Sequence, residues 1–105
     1  MSYAVYTTST FDKELSKLSV SDQEIIHKLF QQLKDNPYVG DQLRFPFFRE
    51  KRIREKRVYY LVYDDFYSVL AVALGGKKNQ QKTIDEVIKF LLEYKEYAKK
   101  LKNNS

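Results

Sequence analysis

The sequence predicts one α+β domain over residues 1–105: an N-terminal strand, an α-helical hairpin, a three-stranded antiparallel meander and a C-terminal amphipathic helix. Three observations predict it. Apolar residues recur at helical spacing on both sides of Ser21. Three β-rich runs between Phe47 and Leu74 are separated by two-residue polar breaks, Arg54-Glu55 and Asp64-Asp65. From about Gln80 to Lys102 the apolar positions alternate in steps of three and four.

Taken in order, Tyr3 to Thr8 alternates β-formers and reads as a first strand. Ser9 or Thr10 caps a helix that places Phe11, Leu15 and Leu18 on one face. Ser21 and Glu24 have the spacing of a capping box. They predict the start of a second helix buried through Ile25 or Ile26, Leu29, Phe30 and Leu33 and stopped at Asn36-Pro37. The meander strands are expected at Phe47 to Ile53, Lys56 to Tyr63 and Phe66 to Leu74. The last is apolar on both faces, as for the central strand of a covered sheet, and ends at Gly75-Gly76. The final helix carries Ile84, Val87, Leu91, Tyr94, Ala98 and Leu101, widened by Ile88 and Leu92. Three heptads are the lower limit for a coiled coil, so this stripe is expected to pack on its own sheet. The alternative is the seam of a homodimer through the C-terminal helix.

Composition narrows the chemistry. With 43% hydrophobic and 31% charged residues the chain is that of a water-soluble domain, and no apolar run approaches the ~18 residues of a membrane span. The start, MSYAVYTTSTF, lacks the basic and apolar regions of a secretion signal, so a cytoplasmic location is expected, with no membrane partner. No cysteine is present, which excludes thiolate catalysis and sulfur-ligated zinc, and the lone His27 excludes a histidine-based metal site. His27 reads as a surface residue of the second helix. No cofactor is expected.

The charge is concentrated. Between Leu43 and Tyr60 stand seven basic residues, Arg44, Arg49, Lys51, Arg52, Arg54, Lys56 and Arg57, against Glu50 and Glu55. Elsewhere twelve basic side chains balance twelve acidic ones, so this segment carries the whole net charge of +5. A positive field confined to one strand pair suits a polyanion, with nucleic acid the leading partner.

The element order, with arginine leading the middle meander strand (Lys56-Arg57-Val58-Tyr59-Tyr60-Leu61-Val62-Tyr63), resembles the RelE/ParE superfamily of type II toxin–antitoxin toxins. The resemblance extends from Tyr3 to about Leu101. It is most specific in the basic hairpin Arg52-Ile53-Arg54-Glu55-Lys56-Arg57-Val58-Tyr59-Tyr60 and in the pair Lys77-Lys78 after the last strand.

For RelE-like members the resemblance implies a metal-independent endoribonuclease that enters the ribosome and cuts messenger RNA. It also implies an antitoxin, laid as an extended or helical segment on the sheet or terminal helix. By motif match Arg57 would clamp the phosphate, with Arg52 and Lys78 as further catalytic cations. Lys77, Lys51, Arg49 and Arg54 would bind substrate. Fixed cations are what a phosphorane needs where no metal meets its charge, and the arginine fork matches two phosphate oxygens. Each of these residues also has a plainer reading, as a solvated face or an edge-strand guard.

Two positions depart from the RelE-like pattern. The tyrosine or histidine of potent members at the start of the terminal helix falls on Ile84, after Thr83, and a lysine of the first meander strand falls on Glu50. A one-residue register change would instead turn Arg49 and Lys51 to the cleft. The absent acid/base group leaves open a ParE-like non-nuclease toxin that inhibits a target such as DNA gyrase. It also leaves open a decayed toxin domain that binds nucleic acid by stacking bases on aromatics.

Overall fold

The computed structural model describes residues 2–105, in which a five-stranded sheet is covered by helices on both faces. β1 (Ala4–Thr7) leads into α1 (Ser9–Ser16), whose start is fixed by Thr8, with Oγ1 accepting the Phe11 N–H at 3.1 Å. α2 (Val20–Asp35) is capped by Ser19, which accepts the Asp22 N–H at 3.1 Å. The cap lies two residues ahead of the expected Ser21–Glu24 box. Ser19, with extended backbone, reaches the orphan donor first, and Ser21 joins the helix.

The sheet then forms from β2 (Asp41–Gln42), β3 (Phe48–Ile53), β4 (Lys56–Tyr63) and β5 (Ser68–Gly76) in the order β1-β5-β4-β3-β2. β1 pairs parallel with β5, and every other pairing is antiparallel. The meander is therefore as expected, with Lys56–Tyr63 in its middle, but the central strand of the whole sheet is β4 rather than the Ser68–Leu74 run. β5 is interior because β1 flanks it. The short β2 has no sequence signature, since two exposed polar residues carry no alternation. Gly75 and Gly76 are the last two residues of β5, still paired with Arg57 and Lys56. The Asp64-Asp65 connection is a 3₁₀ turn over Asp64–Phe66, closed by Tyr67 in the left-handed region (φ 47°), rather than a two-residue hairpin. It delays the start of β5 to Ser68.

Period-two alternation divides the sheet between two cores. Ile53, Val58, Tyr60, Val62, Val69 and Ala71 pack with Phe11, Ile26, Leu29 and Leu33 of the helical hairpin. Phe48, Tyr59, Leu61, Tyr63, Leu70 and Val72 pack under the C-terminal helices with Ile84, Val87 and Ala98. A register shift opposite Tyr59 and Tyr60 sends Val72 and Ala73 to the same core before Leu74 returns to the other.

The expected single terminal helix is two: α3 (Gln80–Lys89) and α4 (Leu91–Asn103), separated at Phe90. The break lets Ile84 and Val87 on one side and Leu91, Tyr94, Ala98 and Leu101 on the other follow the twisted sheet. Tyr94 and Leu101 pack against the core under these helices. The outward apolar residues are Phe90, Leu92 and Tyr97, with Leu92 78% exposed. No helix among the described residues is long and apolar enough to cross a membrane.

Candidate functional site

β3 and β4 pair in a register that decides which charges share a face. Glu50 stands opposite Tyr59, and Arg52 opposite Arg57, while Arg57 pairs on its other side with Gly75 of β5. Tyr59 belongs to the core under α3 and α4, so Glu50, Arg52 and Arg57 point to that side of the sheet. Arg49 and Lys51 take the opposite face, that of Val58 and Tyr60. Of the two registers open to the sequence, the structure adopts the one that turns Glu50 to the terminal helix.

Glu50 is the centre of this cluster. It is the one charged residue buried among those described. Its Oε1 lies 3.0 Å from Arg57 Nη1, with side-chain exposures of 8% and 14% for the two partners. Gln80, the first residue of α3, donates from Nε2 to both carboxylate oxygens, at 3.0 Å to Oε1 and 3.1 Å to Oε2. The positive end of the α3 dipole adds to the attraction. Two further polar atoms here are sealed from solvent without a partner: Arg57 Nε and the Tyr59 hydroxyl. Burial, with Glu50 beside it, pushes Tyr59 up to about 12, which keeps it a proton donor at neutral pH. Arg57 Nη2 makes no hydrogen bond within the described residues.

The cations named from the sequence divide into two groups. Arg52 is exposed beside Arg57, with its Nε tied to the Arg54 carbonyl at 3.0 Å. Lys77 and Lys78 are exposed in the 3₁₀ turn Lys77–Asn79, between Gly76 and Gln80, at the same end of the sheet. These four form one cationic group. Arg49 and Arg54 do structural work instead. Arg49 donates to the carbonyls of Pro46 (2.8 Å) and Gly40 (3.1 Å), with its guanidinium 4.9 Å over the Tyr38 ring. Arg54, left-handed at φ 55°, ties the hairpin tip to α2 through Ser21 (3.2 Å) and Asp22 (3.1 Å). Lys51 is half-buried on the face away from Arg57.

Ile84, at the position of the RelE-like acid or base, is 9% exposed and packs in the core. Thr83 lies over the end of β5, with Oγ1 4.0 Å from where a Cβ on Gly75 would stand. The residues missed by sequence reasoning are Glu50 as a site member and Gln80. The signal for Glu50 was present in its alternation with Phe48 and Arg52. For Gln80 there was none, since the contact joins residues thirty positions apart. The strand aromatics Phe48, Tyr59 and Tyr60 are wholly buried, so they offer no face to a base. No group of three or more His, Asp or Glu side chains among the described residues is placed to hold a metal ion.

No family model matches the chain, and no curated relative does. Solved structures do. A free E. coli RelE toxin carrying two arginine-to-alanine changes superposes with a TM-score of 0.70 at 18% identity, over 83% of this chain and 99% of that one. The RelBE toxin–antitoxin complex of Mycobacterium tuberculosis gives 0.65 at 22% identity, over 73% and 100%. A YoeB/ParE toxin from Agrobacterium tumefaciens gives 0.60 at 16%, over 70% and 96%. With this strand order and the helices on both faces, the chain has the fold of the RelE-type toxins.

Proposed function

We propose that this protein is the toxin of a type II toxin–antitoxin system and acts as a metal-independent, ribosome-dependent messenger RNA endoribonuclease. The observation that carries the reading is the buried Glu50–Arg57 pair with exposed Arg52, Lys77 and Lys78 at the same end of a RelE-type sheet. When a ribose 2′-hydroxyl gives up its proton and bonds to the adjacent phosphorus, charge gathers on the phosphorane oxygens until the P–O5′ bond breaks and the 5′-oxygen leaves with a proton from water. Arg57 Nη2, Arg52 and Lys78 meet that charge, and Lys77 binds the flanking backbone. Glu50 is the nearest proton acceptor to Arg57, and its Oε2 retains a lone pair beyond the bond from Gln80. The partners are the ribosome with its messenger RNA and a cognate antitoxin, and the site of action is the cytoplasm. A homodimer through the C-terminal helix would use Leu92 and Tyr97, because the heptad stripe already packs on the sheet.

The test is primer extension on messenger RNA in a translation extract, comparing wild type with Arg57→Ala. Ribosome-dependent cuts made by wild type alone support the reading. Their absence with folded protein defeats it.

The burial of Ile84 favours a second reading, a ParE-like toxin that binds its target without cutting RNA. Inhibition of gyrase supercoiling by protein that leaves messenger RNA intact would select it.

A further inference from the structure

Arginine and carboxylate side chains prefer to meet fork to fork, through two parallel hydrogen bonds. Glu50 and Arg57 do not. They share one bond, Nη1 to Oε1 at 3.0 Å, although both are largely out of water, where a second bond would be worth most. The second carboxylate oxygen is held by Gln80 at 3.1 Å, and Arg57 is left with Nε unpartnered and Nη2 free. We propose that Gln80 is a positioning residue that holds the Glu50 carboxylate off the full fork of Arg57 and thereby keeps that arginine open to a phosphate oxygen. The inference rests on the reading of Arg57 as a phosphate clamp.

Geometry gives Gln80 this role and no other residue in the cluster. As the first residue of α3, it is delivered to the sheet by the turn that carries Lys77 and Lys78. Its amide nitrogen lies within hydrogen-bond distance of both carboxylate oxygens, a three-centre contact that turning the carboxylate toward Arg57 would weaken. Without Gln80, Glu50 rotates about its last torsion and takes Arg57 by two nitrogens. Arg57 is then neutralised by its own neighbour, and a phosphate must displace a bidentate partner.

The experiment measures the affinity of the full chain for a short single-stranded oligoribonucleotide, by fluorescence anisotropy at low salt. The variants are Gln80→Leu, Glu50→Gln and the double variant. Gln80→Leu is expected to weaken binding roughly tenfold, the scale of one charge-assisted hydrogen bond. A glutamine at position 50 cannot accept a fork from arginine, so the double variant should bind within about twofold of Glu50→Gln alone. A merely structural Gln80 would show no such rescue, and equal weakening in both backgrounds overturns the proposal. A second readout, the ¹⁵N guanidinium spectrum assigned by loss of signal in Arg57→Lys, does not depend on RNA. In Gln80→Leu a further Arg57 guanidinium N–H, at Nε or Nη2, should move downfield as it gains a carboxylate; unmoved Nε and Nη2 signals also overturn the proposal. Failure of wild type to bind RNA would count against the nuclease reading, and the spectrum alone would then decide the role of Gln80.

Discussion

Arg57 and Glu50, seven residues apart in sequence, sit diagonally across the β3–β4 ladder with their charged atoms 3.0 Å apart and both side chains largely buried. Removing one partner of such a pair strands the other charge in a poor solvent. Glu50→Ala is therefore expected to lower unfolding free energy by roughly 3 kcal/mol, with Glu50→Gln costing less because its carbonyl still accepts from Arg57. Urea denaturation of the three proteins checks the order. A stability of Glu50→Ala equal to wild type would show that Arg57 reaches water without cost.

Arg57→Ala leaves Glu50 with the Gln80 amide, so its fold should survive while its toxicity is lost. Growth on induction, read beside the circular dichroism of purified protein, separates the two. An unfolded variant would place Arg57 among the structural residues.

Acid stability tests a second carboxylate. Asp64 accepts hydrogen bonds from Tyr3 at 2.6 Å and Tyr38 at 2.7 Å, joining the N-terminal segment, the loop before β2 and the β4–β5 turn. Those bonds hold its carboxyl below the ordinary value. A depressed folded-state value contributes stability that is present above the unfolded carboxyl range, near pH ~3.9, and is lost as pH falls through the folded value. Asp64→Asn should therefore be less stable than wild type at pH 6, and the gap should narrow as pH falls below the unfolded carboxyl range. At the alkaline end the same bond pushes Tyr3 up to about 12, so its ionisation, followed near 295 nm, should fall toward pH 10 in the variant.

Gly40 is fixed by proximity. A Cβ there would stand 2.7 Å from the Glu50 carbonyl oxygen and 2.7 Å from the Tyr60 hydroxyl, which accepts the Gly40 N–H. Gly40→Ala should cost about 1–3 kcal/mol, seen as a lower urea midpoint with unchanged slope.

Salt dependence weighs the cationic group. If Arg52, Arg57, Lys77 and Lys78 each neutralise a phosphate, the log–log slope of single-stranded RNA affinity against salt should be about −3. Lys78→Ala should make it shallower by roughly 0.7, whereas Lys51→Ala, on the other face, should leave it unchanged.

Most of the architecture was legible because it is written in local periods. The Lys56–Tyr63 strand, the two N-terminal helices and the amphipathic stripe follow from apolar spacing and polar breaks. What failed lacks a local signal. The two-residue β2 is too short to alternate, and the Asp64–Phe66 turn depends on Tyr67 entering the left-handed region. The break at Phe90 is imposed by the twisted surface on which the helices lie rather than by glycine or proline.

By itself the sequence determined the fold class and the concentration of positive charge on one hairpin, because both are properties of residue order along single elements. Only the tertiary structure decided how that charge is used. The β3–β4 register placed Glu50 rather than Arg49 or Lys51 beside Arg57, and the packing of α3 brought Gln80 onto the same carboxylate. Register flips every side chain with a shift of one residue, and a contact between distant residues leaves no trace in their spacing.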